Sequence, residues 1–539
     1  MDRQPRERRL YLYGLAAVLI LAALTRFLDL GSKSFWIDEG TTAFEISGEL
    51  ESFLHPPGFF LLARPFYRFF GDSEFSLRLL PALSGWLTVL FVFLLTRQVL
   101  YQKTYRTSAA LIAALIASVN PYCVAVSQEC RMYSVIGLIA AASTYFLYRA
   151  VATEMGYGQP TKHPWLWWAA YAVVIICGIY THIFTFALLA AGNLFLLWLA
   201  LGKKVRIKYW RYLLVQAGIA LAYVPLAATT VQMVALRRET LQLNFSHISP
   251  YYYIYNIFRN LFRYSVGYTF GAPGEGFAAT YAENPTKALF LLFSCALVIA
   301  GSLPVLVGLY RLYRDRLRSF PIIFLIVFVP FLLFVALTLD NALPRQLSLA
   351  APFFYIALAA GIFSLPKTWL KFSTGLILAG NFLLYVPYAR CDTIPYTNAN
   401  WRALSAHLSE KVPPEDLVMV FFGQRDGYYT LKYYRCTAKL RFARKPHMFE
   451  DMPLKVAVDP DGRRRVRRES EIVNELFEKD RPKRIWCLTY HFAPNDLMKS
   501  LSGQKLEHPF GKEIDLIICE NLHQEAGDIS AERGAAQGD

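Results

Sequence analysis

A chain of 539 residues that is 55% hydrophobic and only 18% charged falls short of the roughly 25% charged residues of ordinary soluble domains, and its main body is not a soluble globule. The formal net charge is +16, but Lys and Arg gather in short loops between long apolar runs, so the basicity reports membrane topology and not nucleic-acid binding. There is no Walker motif and no G-x-G-x-x-G after a strand, which argues against an ATP or dinucleotide site, and no Cys/His spacing typical of a structural zinc.

The chain starts with "MDRQPRERR" and an apolar run over 10–28. That run is too long for a signal-peptide core and lacks a small-residue cleavage site, so it reads as a retained first helix. Further apolar runs lie near 79–100, 107–122, 133–150, 165–185, 186–202, 209–229, 287–310, 319–339, 347–364 and 370–389. Since roughly 20 residues cross a bilayer, they predict a polytopic α-helical protein of about eleven transmembrane helices. The fifth and sixth runs are one continuous stretch, too long for a single crossing, and divide at "YTHIF". The basic segments "RQPRERR", "RQVLYQKTYR", "GKKVRIKYWR", "RLYRDRLR" and "PKTWLK" fall on one face. The positive-inside rule makes that face cytoplasmic, with the N-terminus, in a cell (inner or plasma) membrane.

The opposite face carries longer loops at 29–78, 123–132, 230–286 and 340–346. In the first, "HPPGFFLLARPFYRFF" holds Arg64 and Arg68 four residues apart, on one side of an in-plane interfacial helix. With an odd number of spans, residues 390–539 form a second, extracytoplasmic domain after a membrane domain of 1–389. There, "DLVMVFF", "RIWCLTY" and "EIDLIICE" read as strands and "ANWRALSAHLSEKV" and "ESEIVNELFEKD" as helices, predicting a small α/β domain. "DGRRRVRR" at 461–468 reads as a solvated loop, and the final "ISAERGAAQGD" as a disordered tail. Cys391, Cys436, Cys487 and Cys519 would allow one or two disulfides on that side.

Candidate chemistry collects on the outer rim. Asp38 and Glu39 follow Trp36 in "FWIDEG"; His55 opens "HPPGFF"; "SQECRMYS" supplies Gln128, Glu129, Arg131 and Tyr133; His182 lies in "YTHIF"; and Arg345 lies in "LPRQLS". Singly, each has an ordinary reading: a loop carboxylate faces water, Glu129 and Arg131 form a rim ion pair, His182 is a turn residue, Arg345 an interfacial anchor. Together they mark a substrate path, because ionisable groups at membrane depth are costly. The set suits transfer of a sugar from a lipid-linked phosphate to a hydroxyl. A carboxylate takes the hydroxyl proton, the transition state is oxocarbenium-like, and arginines or a divalent metal meet the departing phosphate.

At "FWIDEG", "HPPGFFLLARPFYRFFGDSEFSLRLLPALSG", "NPYCVAVSQECRMYSVIGLIAAASTYFLYRA" and "YTHIFTF" the chain resembles the GT-C membrane glycosyltransferases that use polyprenyl-phosphate sugars. "LPRQLSLAAPFFYIALAAGI" and "NWRALSAHLSEKVPPEDLVMV" match more weakly. The branch is that of the Rgt-like lipopolysaccharide glycosyltransferases, with the lipid A aminoarabinose transferase and protein O-mannosyltransferases as more distant relatives. The resemblance implies a GT-C fold, Asp38 as catalytic base and Glu39 as its partner in positioning the acceptor. It makes Glu129 the second acidic site residue, and gives Trp36, Gln128, Arg131, Tyr133 and Arg345 to substrate, with the two arginines on the lipid phosphate. In the aminoarabinose-transferase branch a Glu precedes the comparable Pro-rich helix start; here His55 stands there. His55, Glu129 and His182 are the candidate ligands for zinc, manganese or magnesium, although no cofactor follows from their spacing. The implied partners are a polyprenyl-phosphate sugar, a lipid, glycan or protein acceptor, and membrane lipids.

Three other readings compete. A glycan ligase or polymerase would share much of this chemistry. A transporter or flippase of a lipid-linked or anionic substrate would place ionisable residues at the membrane midplane, often in repeated halves, and no repeat is evident. A scaffold or receptor would not need clustered carboxylates and histidines.

Overall fold

A computed structural model describes residues 3–49, 55–101, 103–155, 163–201, 209–241, 303–312, 348–389, 400–420, 424–442, 456–458, 464–466, 469–480, 482–490, 504–506 and 514–520, with single positions at 264, 292 and 314. They fall into two compact units: Met1–Ser32 with Leu50–Cys391, and Lys33–Glu49 with Asp392–Asp539. The sequence places all of 29–78 with the membrane domain. By its contacts, Lys33–Glu49 groups instead with the residues that follow the last span.

The first unit is helical, because in hydrocarbon a spanning segment has to satisfy its backbone internally. Its helices are α1 (Arg3–Phe27); α3 to α10 (Gly58–Phe70, Glu74–Val99, Arg106–Val119, Pro121–Ser127, Tyr133–Glu154, Trp165–Thr181, Thr185–Leu201, Tyr209–Leu241); and α11 to α13 (Leu303–Leu312, Ala351–Ile362, Lys367–Ala389). Among the described residues five are long and apolar enough to cross a membrane, and α5 with α6, bent by 60°, makes a sixth if counted as one span. The helices α8, α9 and α11 and the segment Ser348–Ile362 are apolar but shorter. The expected span at 319–339 and most of that at 287–310 lie outside the described residues. The long run over 165–202 does break at "YTHIF", where His182 leaves the α8 helix with φ −160° and ψ 140°. The Pro-rich start of 55–70 folds as α3, with Phe59, Phe60 and Ala63 buried and Leu61, Leu62, Phe69 and Phe70 exposed.

The break between α5 and α6 organises this unit. Pro121 has no N–H, so the last carbonyls of α5 lose their helical donors. Asn120 restarts the chain as the N-cap of α6, its Oδ1 accepting from the Cys123 N–H at 3.2 Å. The orphaned carbonyls are met from α1: the Arg26 guanidinium donates to the oxygens of Ala117 and Ser118, both at 3.0 Å, and the Thr25 hydroxyl donates to Ser118 at 2.8 Å. The favour is returned one turn later. The Gln128 side-chain amide donates to the carbonyls of Thr25, Arg26 and Leu28 at 3.2–3.3 Å, closing the C-terminal end of α1. On the other side, Asn120 Nδ2 donates to Asn381 Oδ1 of α13 at 2.7 Å, and the Tyr355 hydroxyl of α12 donates to Asn120 Oδ1 at 2.9 Å.

The second unit contains α2 (Ile37–Ser47), α14 (Trp401–Lys411), α15 (Gln424–Tyr433), α16 (Glu469–Asp480) and strands β1 to β7 (417–420, 440–442, 456–458, 464–466, 484–490, 504–506, 514–520). Five strands form a mixed sheet in the order β2-β1-β5-β7-β6, with β1 parallel to both β2 and β5, and β7 antiparallel to β5 and β6. Side chains alternate between its faces. Val418, Val420, Trp486 and Leu488 pack with Trp401, Leu404 and Leu408 of α14. Leu417, Met419, Ile485 and Cys487 pack with Val473, Leu476 and Phe477 of α16. Coverage of both faces explains why "LVMV" is apolar throughout. The three expected strands and two expected helices are present. The basic run at 461–468 is not simply a loop: Arg464–Val466 forms β4, paired antiparallel with β3. Of the described cysteines of this unit, Cys436 is half-buried and Cys487 and Cys519 are buried. Cys487 and Cys519 lie diagonally across β5 and β7 with their sulfurs 3.9 Å apart, and Cys391 lies outside the described residues.

Replacing Arg26 by Met takes the side-chain donor from the buried Ala117 carbonyl and leaves that of Ser118 to Thr25 alone; an unmet buried carbonyl costs about 1–3 kcal/mol. Thermal unfolding of the detergent-solubilised protein is expected to show a loss of about 2 kcal/mol or more for Arg26→Met, while the exposed Arg68→Met changes it by less than about 0.5 kcal/mol. Equal midpoints for the two variants would refute the capping role.

Candidate active site

The turn between α6 and α7 carries "QECRMY". Gln128, anchored on α1, holds its N-terminal side, and the Arg131 N–H donates to the Glu129 carbonyl at 2.7 Å, which curls the backbone tightly. Gln128, Glu129, Arg131 and Tyr133 are all buried. The Arg131 guanidinium points toward the start of α3, where its Nη2 meets His55 Nε2 at 3.2 Å, and it lies 5.9 Å from the centre of the Tyr133 ring.

"HPPG" brings a third segment in. At Gly58 a Cβ would stand 2.5 Å from the Tyr180 carbonyl oxygen, so only glycine lets the start of α3 press against the end of α8. That approach sets the His55 ring 5.8 Å, centre to centre, from His182, and the Tyr133 ring lies 6.5 Å from His182. His182 is held by its own loop: its N–H donates to the Gly178 carbonyl at 2.8 Å, and its Nδ1 accepts from the Phe184 N–H at 3.1 Å.

These bonds fix the protons on both rings. A guanidinium is only a donor, so His55 Nε2 accepts and its proton is on Nδ1; His182 Nδ1 accepts, so its proton is on Nε2. No group of three His, Cys, Asp or Glu side chains among the described residues is placed to hold a metal. The expected ligand set of His55, Glu129 and His182 is therefore not assembled here. What is assembled is a buried arginine bonded to His55 beside Tyr133, with the His182 ring next to both of these rings.

Trp36, Asp38 and Glu39 lie in the second unit, at the start of α2. Trp36 is extended, and its carbonyl accepts from the N–H groups of Glu39 and Gly40 at 3.0 and 3.1 Å. Glu39 turns back, its Oε2 accepting from the Trp36 N–H at 3.3 Å, the reciprocal contact of a capping box. Asp38 is half-buried in the same first turn, where the positive end of the helix dipole favours a carboxylate. Of the adjacent carboxylates, Glu39 is bonded to the backbone of the helix start.

The structure thus gathers His55, Arg131, Tyr133 and His182, with Gln128 and Glu129 in the same turn, and puts Trp36, Asp38 and Glu39 together on α2. Arg345 lies outside the described residues. Arg26 and Asn120, which hold the turn in place, are not among the residues that the sequence nominates. The signal for Arg26 is its charge inside an apolar run.

Residues 54–228 match the family described as dolichyl-phosphate-mannose-protein mannosyltransferase. Among solved structures the chain is similar to ArnT from Cupriavidus metallidurans in the apo state, with a TM-score of 0.58 at 14% identity, covering 95% of this chain and 98% of that one. This chain shares the fold of that protein. The same protein bound to undecaprenyl phosphate aligns with a TM-score of 0.56 at 14% identity, over 94% and 97% of the two chains. The archaeal oligosaccharyltransferase AglB from Archaeoglobus fulgidus, in complex with an inhibitory peptide and a dolichol-phosphate, gives 0.51 at 15% identity, over 89% and 69%. No curated protein matches the sequence. The stretch matched by the family contains the whole His55–Arg131–His182 cluster, and Asp38 and Glu39 precede it.

The capping contact of Glu39 gives a test. Gln accepts the same backbone bond, so Glu39→Gln should preserve hydrogen-exchange protection of residues 37–47 and Glu39→Ala should reduce it, by roughly 0.5–2 kcal/mol. Loss of protection in both variants would show that Glu39 acts through its charge.

Proposed function

We propose that this protein is an inverting glycosyltransferase that moves a single sugar from a polyprenyl-phosphate donor to a hydroxyl of a glycolipid, glycan or protein at the extracytoplasmic face of the membrane. The observation that carries the reading is the buried Arg131, held by His55 beside Tyr133 and His182 within the family-matched stretch of a GT-C fold. The relatives bound to undecaprenyl phosphate and to dolichol-phosphate support the donor class.

In this reading the lipid tail stays in the bilayer and its phosphate is met by Arg131. Guanidinium is well matched to phosphate, because it stays charged and its donors are fixed in a plane that fits the phosphate oxygens. With one nitrogen on His55 the guanidinium is already oriented, so little reorganisation is needed as charge builds on the departing phosphate. Asp38 accepts the proton of the attacking hydroxyl. Attack from the side opposite the phosphate, through an oxocarbenium-like transition state, inverts the anomeric carbon. Trp36 offers an aromatic face for sugar or lipid, and Glu129 and Arg345 are assigned to the same site. The N-terminus is cytoplasmic and the domain after Arg390 extracytoplasmic, from the distribution of basic loops.

The test is incubation of the purified protein in lipid nanodiscs with a panel of polyprenyl-phosphate sugars, reading released polyprenyl phosphate and glycosylated acceptor by mass spectrometry. One donor should be consumed by the wild type. Asp38→Asn should lower turnover by at least about a thousandfold with an unchanged unfolding midpoint, since the general base is lost. Arg131→Ala should raise the donor KM and lower kcat by roughly tenfold each. Turnover retained in Asp38→Asn would remove Asp38 as the base. Movement of the donor across a proteoliposome bilayer without release of the phosphate would favour the flippase reading.

A further inference from the structure

We propose that α15 and Tyr434 of the C-terminal domain form a positioning clamp for the helix that carries Asp38, with Thr430 and Tyr434 as its working residues; the proposal rests on the reading of Asp38 as the base. The starting observation is that Lys33–Glu49 belongs to the same compact unit as the residues after Asp392, although hundreds of residues separate them in the chain.

The attachment is polar and directional at the start of α2. The Phe35 N–H donates to the Tyr434 phenol oxygen at 2.6 Å, and Ser34 Oγ lies 3.3 Å from that oxygen while accepting from the Arg402 N–H at 3.1 Å. The Thr430 hydroxyl donates to the Ile37 carbonyl at 3.1 Å. These bonds bracket the backbone immediately before Asp38. One turn on, Gly40 lies so close to α15 that a Cβ would fall 2.6 Å from the Thr430 Cα, so the two helices touch backbone to backbone. Apolar contacts complete the seat. Phe35 stacks obliquely on Tyr433 at 4.8 Å and Phe44 on Tyr429 at 5.0 Å; the Lys432 ammonium lies 5.1 Å from the centre of the Phe44 ring; and Ile37 packs on the α14 side of the sheet core.

The pattern is one-sided. With 3.6 residues per turn, Ile37, Gly40 and Phe44 share the face that meets α15, and Asp38 and Thr42 lie on the opposite face. The clamp therefore leaves the carboxylate turned away from the contact it stabilises. A short helix of eleven residues would not hold a fixed direction in isolation. Bonded at residues 34, 35 and 37 to a domain with its own two-sided core, it acquires the rigidity of that sheet. A base misplaced by an ångström can lose roughly a hundredfold in rate, so this rigidity bears on catalysis and not only on folding. The C-terminal domain, on this proposal, is part of the catalytic apparatus.

The test uses the full-length protein in nanodiscs and three variants. Tyr434→Phe removes the acceptor of the Phe35 N–H, Thr430→Val removes the hydroxyl at constant size, and Thr430→Ser keeps it. Hydrogen exchange over residues 35–47 is expected to quicken by about tenfold in Tyr434→Phe and Thr430→Val and to stay at the wild-type rate in Thr430→Ser, with β5 and β7 unchanged in all three. For the polyprenyl-phosphate sugar that the wild type consumes, kcat should fall about tenfold in the first two variants while the donor KM stays within about twofold, and Thr430→Ser should restore kcat. Wild-type exchange over 35–47 in both damaging variants, or equal loss of protection throughout the sheet, would overturn the clamp. Turnover that persists in Asp38→Asn would instead overturn the base assignment, and the exchange experiment would still decide the clamp.

Discussion

A backbone carbonyl that loses its donor in a packed interior has no water to turn to, and the break at Asn120–Pro121 creates such carbonyls among buried residues of the first unit. Arg26 and Thr25 meet them, and Gln128 meets the open end of α1 in return. Two helix ends thus terminate each other. A charge that is expensive to bury is kept because guanidinium chemistry matches a set of orphaned oxygens. The turn holding Glu129 and Arg131 starts where this mutual capping ends, so the orientation of Arg131 toward His55 follows from it.

The second constraint is close approach. Gly58 lets α3 reach the carbonyl of Tyr180, and Gly40 lets α2 reach Thr430. In each case the missing side chain sets the position of a functional residue nearby: His55 beside His182 in the first unit, and the start of α2 in the second. Arg131 is bonded to His55, and His182 is fixed in turn by the Phe184 N–H, so the two rings and the guanidinium are each held in place by a neighbour.

The helices were largely legible from the sequence because apolar runs of spanning length have few alternative folds, and the strands "LVMV", "RIWCLTY" and "IDLIICE" were legible because coverage on both faces makes them continuously apolar. The short strands β2, β3, β4 and β6 were not, since three residues carry no periodicity, and Arg464–Val466 is so basic that it reads as a loop. The site was legible as a set of residue types. Its division was not: nothing local in "FWIDEG" says that it groups with "GYYTLKYY", nor that Glu39 turns back onto the backbone of Trp36.

The sequence by itself determined a membrane chain with a following α/β domain and nominated its ionisable residues, because hydrophobicity and alternation are properties of neighbours along the chain. Only the tertiary structure decided which carboxylate is tied to backbone, which histidine nitrogen carries its proton, and which domain holds the acidic helix. The bonds of Arg131 to His55 and of Phe35 to Tyr434 join residues tens to hundreds apart, whose partners are chosen by packing and leave no periodic trace in the order of the amino acids.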